Sequence, residues 1–95
     1  MDITQLVSRA QQGDGPATGD LLRRASQLVY ARVLQSLKGQ AAADDVAQDA
    51  LLAALAGLPR LREPKAFLAW LRRITDNTVA NHLAHRRREA SEAQE

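Results

Sequence analysis

Apolar residues recur along this chain at intervals of three and four, the spacing that lines one side of an α-helix. Four segments of this kind are separated by turn residues. The first runs from Ile3 to about Gln12. Asp2 is placed to cap it, with Gln5 three residues on as in a capping box, and Gly13 stops it. Gly13-Asp14-Gly15-Pro16 reads as a turn. The second helix spans about Ala17 to Lys38, with Leu22, Ser26, Val29, Val33 and Leu37 on one face, Ala25, Leu28 and Tyr30 widening it, and Gly39 as its stop. The third runs from about Ala42 to Ala56. Its stripe is Val46, Ala50, Ala53 and Gly57, broadened by Leu51, Leu55 and Leu58. Pro59 and Pro64 bracket a stretch, Leu58 to Pro64, that cannot be regular helix. The fourth helix starts near Pro64, a residue favoured in a first turn. It continues to about Arg88, or about 35 Å at 1.5 Å per residue. Phe67, Leu71, Ile74 and Thr78 form its inner face, with Trp70 alongside.

The pattern predicts an all-α fold, a compact bundle of about four helices over residues 1–88. Residues 89–95 are expected to be an acidic loose end or the start of a linker. A chain of 95 residues suits one small domain, which needs an efficient core because it buries little more than about 60% of the surface its unfolded chain exposes. Helix formers dominate and strand formers are scarce.

Composition narrows the chemistry. The chain has no cysteine, so neither a disulfide framework nor a thiolate metal site can form. His82 and His85 are too few for a histidine-only site. There is no glycine-rich phosphate loop. No metal, cofactor or catalytic role is expected. No apolar run approaches the roughly 18 residues that span a bilayer, and Met1-Asp2-Ile3-Thr4 has no basic leader character. The expectation is a cytoplasmic protein without a membrane partner.

Net charge is only +2, but it is unevenly spread. Residues 1–59 are close to neutral, residues 60–88 carry eight Lys/Arg against Glu63 and Asp76, and the end is acidic. A basic segment of this kind is the electrostatic footprint of a nucleic-acid face.

Two stripes carry candidate chemistry. On the third helix, Asp45, Gln48 and Asp49 stand at i, i+3 and i+4 and face together, with Asp44 beside them. As an ordinary helix surface, these acids would simply favour the helix N-terminus. As a docking surface, they would take Arg or Lys of another protein in charge-assisted pairs. On the fourth helix, Arg73, Asn77 and Asn81 line up at i, i+4 and i+8, with the small Ala80 and Ala84 beside them. Asparagine is a weak helix former, so two amides on one side suggest a hydrogen-bonding use. Arg72, Arg73, Arg86, Arg87 and Arg88 can reach phosphates while amides read base edges. The basic loop from Leu58 to Glu63, with Arg60 and Arg62, could hold a base drawn from the stack, or be a plain connection.

These residues have a familiar order. Leu6-Val7-x-x-Ala10-Gln11-x-Gly13-Asp14, then Asp44-Asp45-Val46-Ala47-Gln48-Asp49, then Phe67-Leu68-Ala69-Trp70-Leu71-x-Arg73-Ile74-x-x-Asn77, closed by Arg86-Arg87-Arg88, resemble region 2 of the extracytoplasmic function (group IV) sigma factors of the sigma-70 family. The resemblance implies a module that binds core RNA polymerase and recognises and melts the promoter minus-ten element. It implies that Asp44, Asp45, Gln48 and Asp49 dock on the β′ clamp. It also implies that Arg60, Leu61, Arg62, Lys65, Phe67, Trp70, Arg72, Arg73, Asn77, Asn81 and Arg86 to Arg88 serve the non-template DNA strand. Leu61 to Phe67 would form the loop of a base pocket, with general strand-holding by stacking and a cationic groove. An anti-sigma factor is a further candidate partner.

The chain departs from the family pattern in several places. Leu51, Ala54 and Leu61 stand where the family usually has aromatics, and Phe67, Trp70 and Tyr30 are the only three. Asp76 lies in the DNA helix, where it would repel phosphate. Gly15-Pro16 and Gly19 sit where the family usually continues a helix. The family's second, helix-turn-helix domain for the minus-thirty-five element is not expected within these residues. Two other readings stay open. One is a protein-interaction module that binds the clamp or an anti-sigma partner without opening DNA. The other is an unrelated helical bundle.

Overall fold

The computed structural model describes residues 1–39 and 41–93. Four helices build it: α1 (Ile3–Gln11), α2 (Gly15–Leu37), α3 (Ala43–Gly57) and α4 (Phe67–Ala93). Two short 3-10 turns, Leu58–Arg60 and Pro64–Ala66, carry the chain from α3 into α4. The all-α expectation holds, and no strand occurs among the described residues.

Local chemistry sets the helix ends. The Asp2 carboxylate accepts from the Gln5 N–H at 2.8 Å, and Gln5 Oε1 accepts from the Asp2 N–H at 3.0 Å, which completes the capping box. At the other end of α1, Gly13 takes a φ of +89°. Its N–H reaches the Ala10 carbonyl and the Asp14 N–H reaches that of Arg9. This paired closure needs a left-handed residue at the position of Gly13. Asp14 then caps α2 by accepting from the Ala17 N–H at 3.0 Å. Gly15-Pro16 therefore belongs to the first turn of α2, not to the preceding turn, because a proline nitrogen costs nothing where no intrahelical partner exists.

The core also shifts from the expected faces. Along α2 the buried residues are Ala17, Leu21, Ala25, Val29, Val33 and Leu37. Leu22 and Ser26 are only half-buried, and Leu28 and Tyr30 are exposed. On α3 they are Ala43, Val46, Ala47, Ala50 and Ala54, leaving Ala53 and Leu55 outside. On α4 they are Phe67, Leu71, Thr75 and Val79, with Ile74, Thr78 and Trp70 half-buried at the margin. α2 packs against each of the other three helices. The short alanine side chains on its face and that of α3 let the axes approach closely. The one buried polar side chain among the described residues, Thr75, is satisfied by donating to the Leu71 carbonyl at 2.8 Å.

α4 outruns the bundle. The radius of gyration is 15.1 Å, with a long dimension of 52 Å, against about 12 Å for a compact chain of this length. Every described residue from His85 onward is exposed. Residues 89–93, expected to be loose, continue the helix, and the His85–Glu89 contact at 2.9 Å spans the i, i+4 spacing that supports such an extension. Gln94 and Glu95 lie outside the described residues.

Candidate nucleic-acid interface and docking face

The loop between α3 and α4 is held from a distance. Gln11, half-buried on α1, donates from Nε2 to the carbonyls of Leu58 at 3.0 Å and Leu61 at 2.7 Å. α1 also packs against the Pro64–Ala66 turn. Leu61 turns inward onto the core, while Arg60, Arg62 and Lys65 point to solvent. At the base of the loop, Trp70 lies so close to Gly57 that an added Cβ would sit 3.0 Å from its ring. Trp70 also meets Phe67, with ring centroids 5.9 Å apart and planes tilted by 43°.

Beyond Trp70, α4 presents Arg73, Asn77 and Asn81, all exposed. Neither asparagine side chain makes a hydrogen bond with another described residue. Arg60, Arg62, Lys65, Arg72 and Arg73 likewise have no ion-pair partner among the described residues. Uncommitted guanidinium and amide groups beside a braced loop are the materials for holding a phosphate backbone and reading base edges. Arg86, Arg87 and Arg88 are exposed farther along the same helix, about 20 Å from Arg73 at 1.5 Å per residue.

Asp76, expected to repel phosphate, is engaged. Arg32 of α2 grips it with both prongs, Nε to Oδ1 at 2.7 Å and Nη2 to Oδ2 at 2.9 Å. The hydrogen bonds from Arg32 hold the Asp76 carboxyl below the usual carboxylate range, opposed by partial burial and helped by the charges of Arg32 and Arg72.

The acidic stripe faces another way. Trp70 meets α3 at Gly57, whereas Asp44, Asp45, Gln48 and Leu51 line a groove of about 650 Å³ between α3 and α2, closed on the α2 side by Tyr30 and Leu34. Asp44, Asp45, Gln48 and Asp49 are all exposed. The Tyr30 hydroxyl donates to Asp44 Oδ1, and that bond raises the phenol pKa above its ordinary value. An apolar floor beneath carboxylates is a chemically sensible seat for a basic amphipathic partner.

The structure changes two expectations about individual residues. Phe67, assigned both to the inner face of the fourth helix and to the DNA set, is 3% exposed and lies in the core beside Trp70, so the first assignment holds and it offers no surface to a ligand. Trp70, also in the DNA set, is half-buried, with Phe67 beside it and one ring edge near Gly57. Tyr30, assigned to the inner face of α2, opens onto the acidic groove with Leu34. A clue was available in the sequence: α2 has more apolar circumference than one packed face consumes. Gln11, Gly57 and Arg32 act through contacts with distant parts of the chain, which no periodicity reveals.

The fold belongs to the class of all-α helical bundles, with a basic ridge on α4 and an acidic groove between α2 and α3. Comparison with known proteins makes that class specific. The Sigma-70 region 2 family description matches residues 21–89. The RNA polymerase sigma-H factor of Pseudomonas aeruginosa is 37% identical over 84 residues, covering 88% of this chain and 44% of that protein. The probable RNA polymerase sigma factor RfaY of Xanthomonas campestris is 37% identical over 86 residues, covering 90% and 22% respectively. The ECF RNA polymerase sigma factor BldN of Streptomyces coelicolor is 35% identical over 81 residues, covering 84% and 31%. Among solved structures, an engineered region 2 of sigmaE, determined by NMR in complex with GTAAAA, superposes with a TM-score of 0.82 at 30% identity, covering 94% of this chain and 93% of that one. The chain thus spans less than half the length of these curated relatives. It belongs to the sigma-70 region 2 family.

Proposed function

We propose that this domain joins core RNA polymerase to promoter DNA, reading the minus-ten element as a separated non-template strand during transcription initiation. The observation that carries the reading is the ridge of Arg73, Asn77 and Asn81. Its groups are exposed and uncommitted beside a loop braced by Gln11, in a fold closely similar to a region 2 bound to a six-base sequence. In this reading Arg60, Arg62, Lys65, Arg72, Arg87 and Arg88 attend to the backbone, and Leu61 and Trp70 wall the base pocket. The acidic groove on α3 seats the β′ clamp through Asp44, Asp45, Gln48 and Asp49, and an anti-sigma factor would compete for the same face. The extracytoplasmic function subgroup is favoured by the names of two relatives, BldN among them.

Titration of fluorescent single-stranded oligonucleotides is the test. A minus-ten-like strand such as GTAAAA should bind more tightly than a scrambled strand, with affinity falling steeply as salt rises. Equal affinity for both strands at about 150 mM salt would refute base reading.

One observation favours a second reading, an interaction module that docks without opening DNA. Few aromatic surfaces are offered to a base: Phe67 is buried, Trp70 is half-buried beside it with a ring edge near Gly57, and Tyr30 faces the acidic groove. Base–aromatic stacking contributes about 1–3 kcal/mol per base elsewhere. Clamp-fragment binding without any selective strand binding would establish this alternative.

A further inference from the structure

The deepest electrostatic conflict on the DNA face is resolved by a residue outside it. Asp76 is the only acid between Phe67 and Arg88. On a helix it neighbours Arg72 at i−4 and Arg73 at i−3, both within reach of its carboxylate. Left to itself it would draw in one of those guanidiniums and occupy donors that a phosphate needs. Instead both of its oxygens are taken by Arg32 from α2, at 2.7 and 2.9 Å. Neither Arg72 nor Arg73 forms an ion pair with any described residue. The Arg32 side chain is 34% exposed. Its fork geometry matches a carboxylate with two parallel bonds, which a single ammonium could not do.

We infer that Arg32 is a positioning residue for strand binding: by holding Asp76 in a two-pronged pair, it keeps that carboxylate from capturing Arg72 and Arg73 and leaves both guanidiniums to phosphate. The inference rests on the strand-binding reading above and adds to it a residue on α2, a helix to which that reading assigns no strand contact. The same pair also ties α4 to α2, so a purely structural role must be separated from the electrostatic one.

The experiment is a salt titration of the minus-ten-like oligonucleotide with the full chain and four variants: Arg32→Gln, Asp76→Asn, the double variant, and Arg23→Gln. The last removes the same charge from α2, where Arg23 pairs with Asp20. Circular dichroism confirms that each is folded. Arg32→Gln should bind about fivefold more weakly at about 150 mM salt, and its salt slope should flatten by about 0.7 for each phosphate it no longer neutralises. Asp76→Asn should bind at least as tightly as the wild type. The double variant should return to wild-type affinity, because the capturing carboxylate is gone. Arg23→Gln should be unchanged.

Several results would overturn the inference. A double variant as weak as Arg32→Gln would make the pair a structural tie. An equal loss in Arg23→Gln would make the effect one of net charge. An unaltered Arg32→Gln, with the wild type binding normally, would remove the inference alone. Absence of binding by the wild type would remove the strand-binding reading and this inference with it.

Discussion

The Gln11 side-chain amide donates to the Leu61 carbonyl at 2.7 Å, joining residues fifty positions apart. A second bond from the same nitrogen reaches the Leu58 carbonyl at 3.0 Å. The Leu58 carbonyl also accepts from the Leu61 N–H at 3.1 Å within the 3-10 turn, but among the described residues no backbone N–H reaches that of Leu61, and an unpaired part-buried acceptor is costly. One glutamine on α1 therefore decides the shape of a loop that the intervening chain leaves short of regular structure.

Gln11→Ala should lower stability by about 1–2 kcal/mol, the usual loss when a part-buried acceptor such as the Leu61 carbonyl is left unsatisfied. If the loop forms part of the strand site, oligonucleotide affinity should fall as well, at temperatures where the variant remains folded. Denaturant melts followed by binding titrations separate the two effects. Gln11→Glu should be worse than alanine, since a carboxylate cannot donate and would face two carbonyl oxygens.

Gly57→Ala sets two effects against each other. The backbone there is ordinary, with φ −88°, so alanine gains helix propensity of at most about 1 kcal/mol over glycine. Its Cβ would stand 3.0 Å from the Trp70 ring, which also packs beside the buried Phe67. Overpacking of this sort costs about 1–3 kcal/mol, so net destabilisation is expected. Trp70 is the only tryptophan, so a shift in its emission should accompany the lower melting temperature.

The Arg32–Asp76 pair makes a prediction about pH. The folded Asp76 carboxyl titrates below its ordinary value because Arg32 hydrogen-bonds its charged form. The unfolded chain therefore takes up this proton first as pH falls, and the pair's contribution is full above the ordinary carboxylate range near about 4. It is lost as pH drops through the lower folded value. The melting-temperature gap between the wild type and Asp76→Asn should be present at neutral pH and close in acid.

Asp45→Arg and Gln48→Ala should abolish or strongly weaken binding to a β′ clamp fragment while leaving oligonucleotide affinity unchanged, because the groove they line opens between α3 and α2, away from the loop and Trp70. Leu34→Glu, on the α2 wall of the groove, should act in the same direction. A pull-down and a strand titration on the same preparations check the independence of the faces. Loss of both activities together would mean that the variants had unfolded or that the faces are coupled.

Asn77→Ala and Asn81→Ala should reduce the preference for the minus-ten-like strand by about 1–3 kcal/mol for each base no longer read. Arg87→Ala and Arg88→Ala should weaken cognate and scrambled strands alike. Competition titrations with the two strands distinguish selectivity from affinity.

Helix number, the capping box at Asp2, the Gly13 stop and the proline-bounded loop were all legible in the sequence, since each depends on interactions within a few residues. So were the two polar stripes, because i, i+3, i+4 spacing on a helix is geometry. Tertiary packing decided the rest. α2 carries apolar residues around much of its circumference, and only its neighbours select Leu21 and Ala25 over Leu22 and Leu28 for burial. The same packing exposes Tyr30 at the acidic groove. Only the approach of α2 to α4 turns Asp76 from a repulsive charge into the partner of Arg32. Periodicity reports how apolar a face is, whereas which face is covered, and which charge meets which, depends on where the other helices lie.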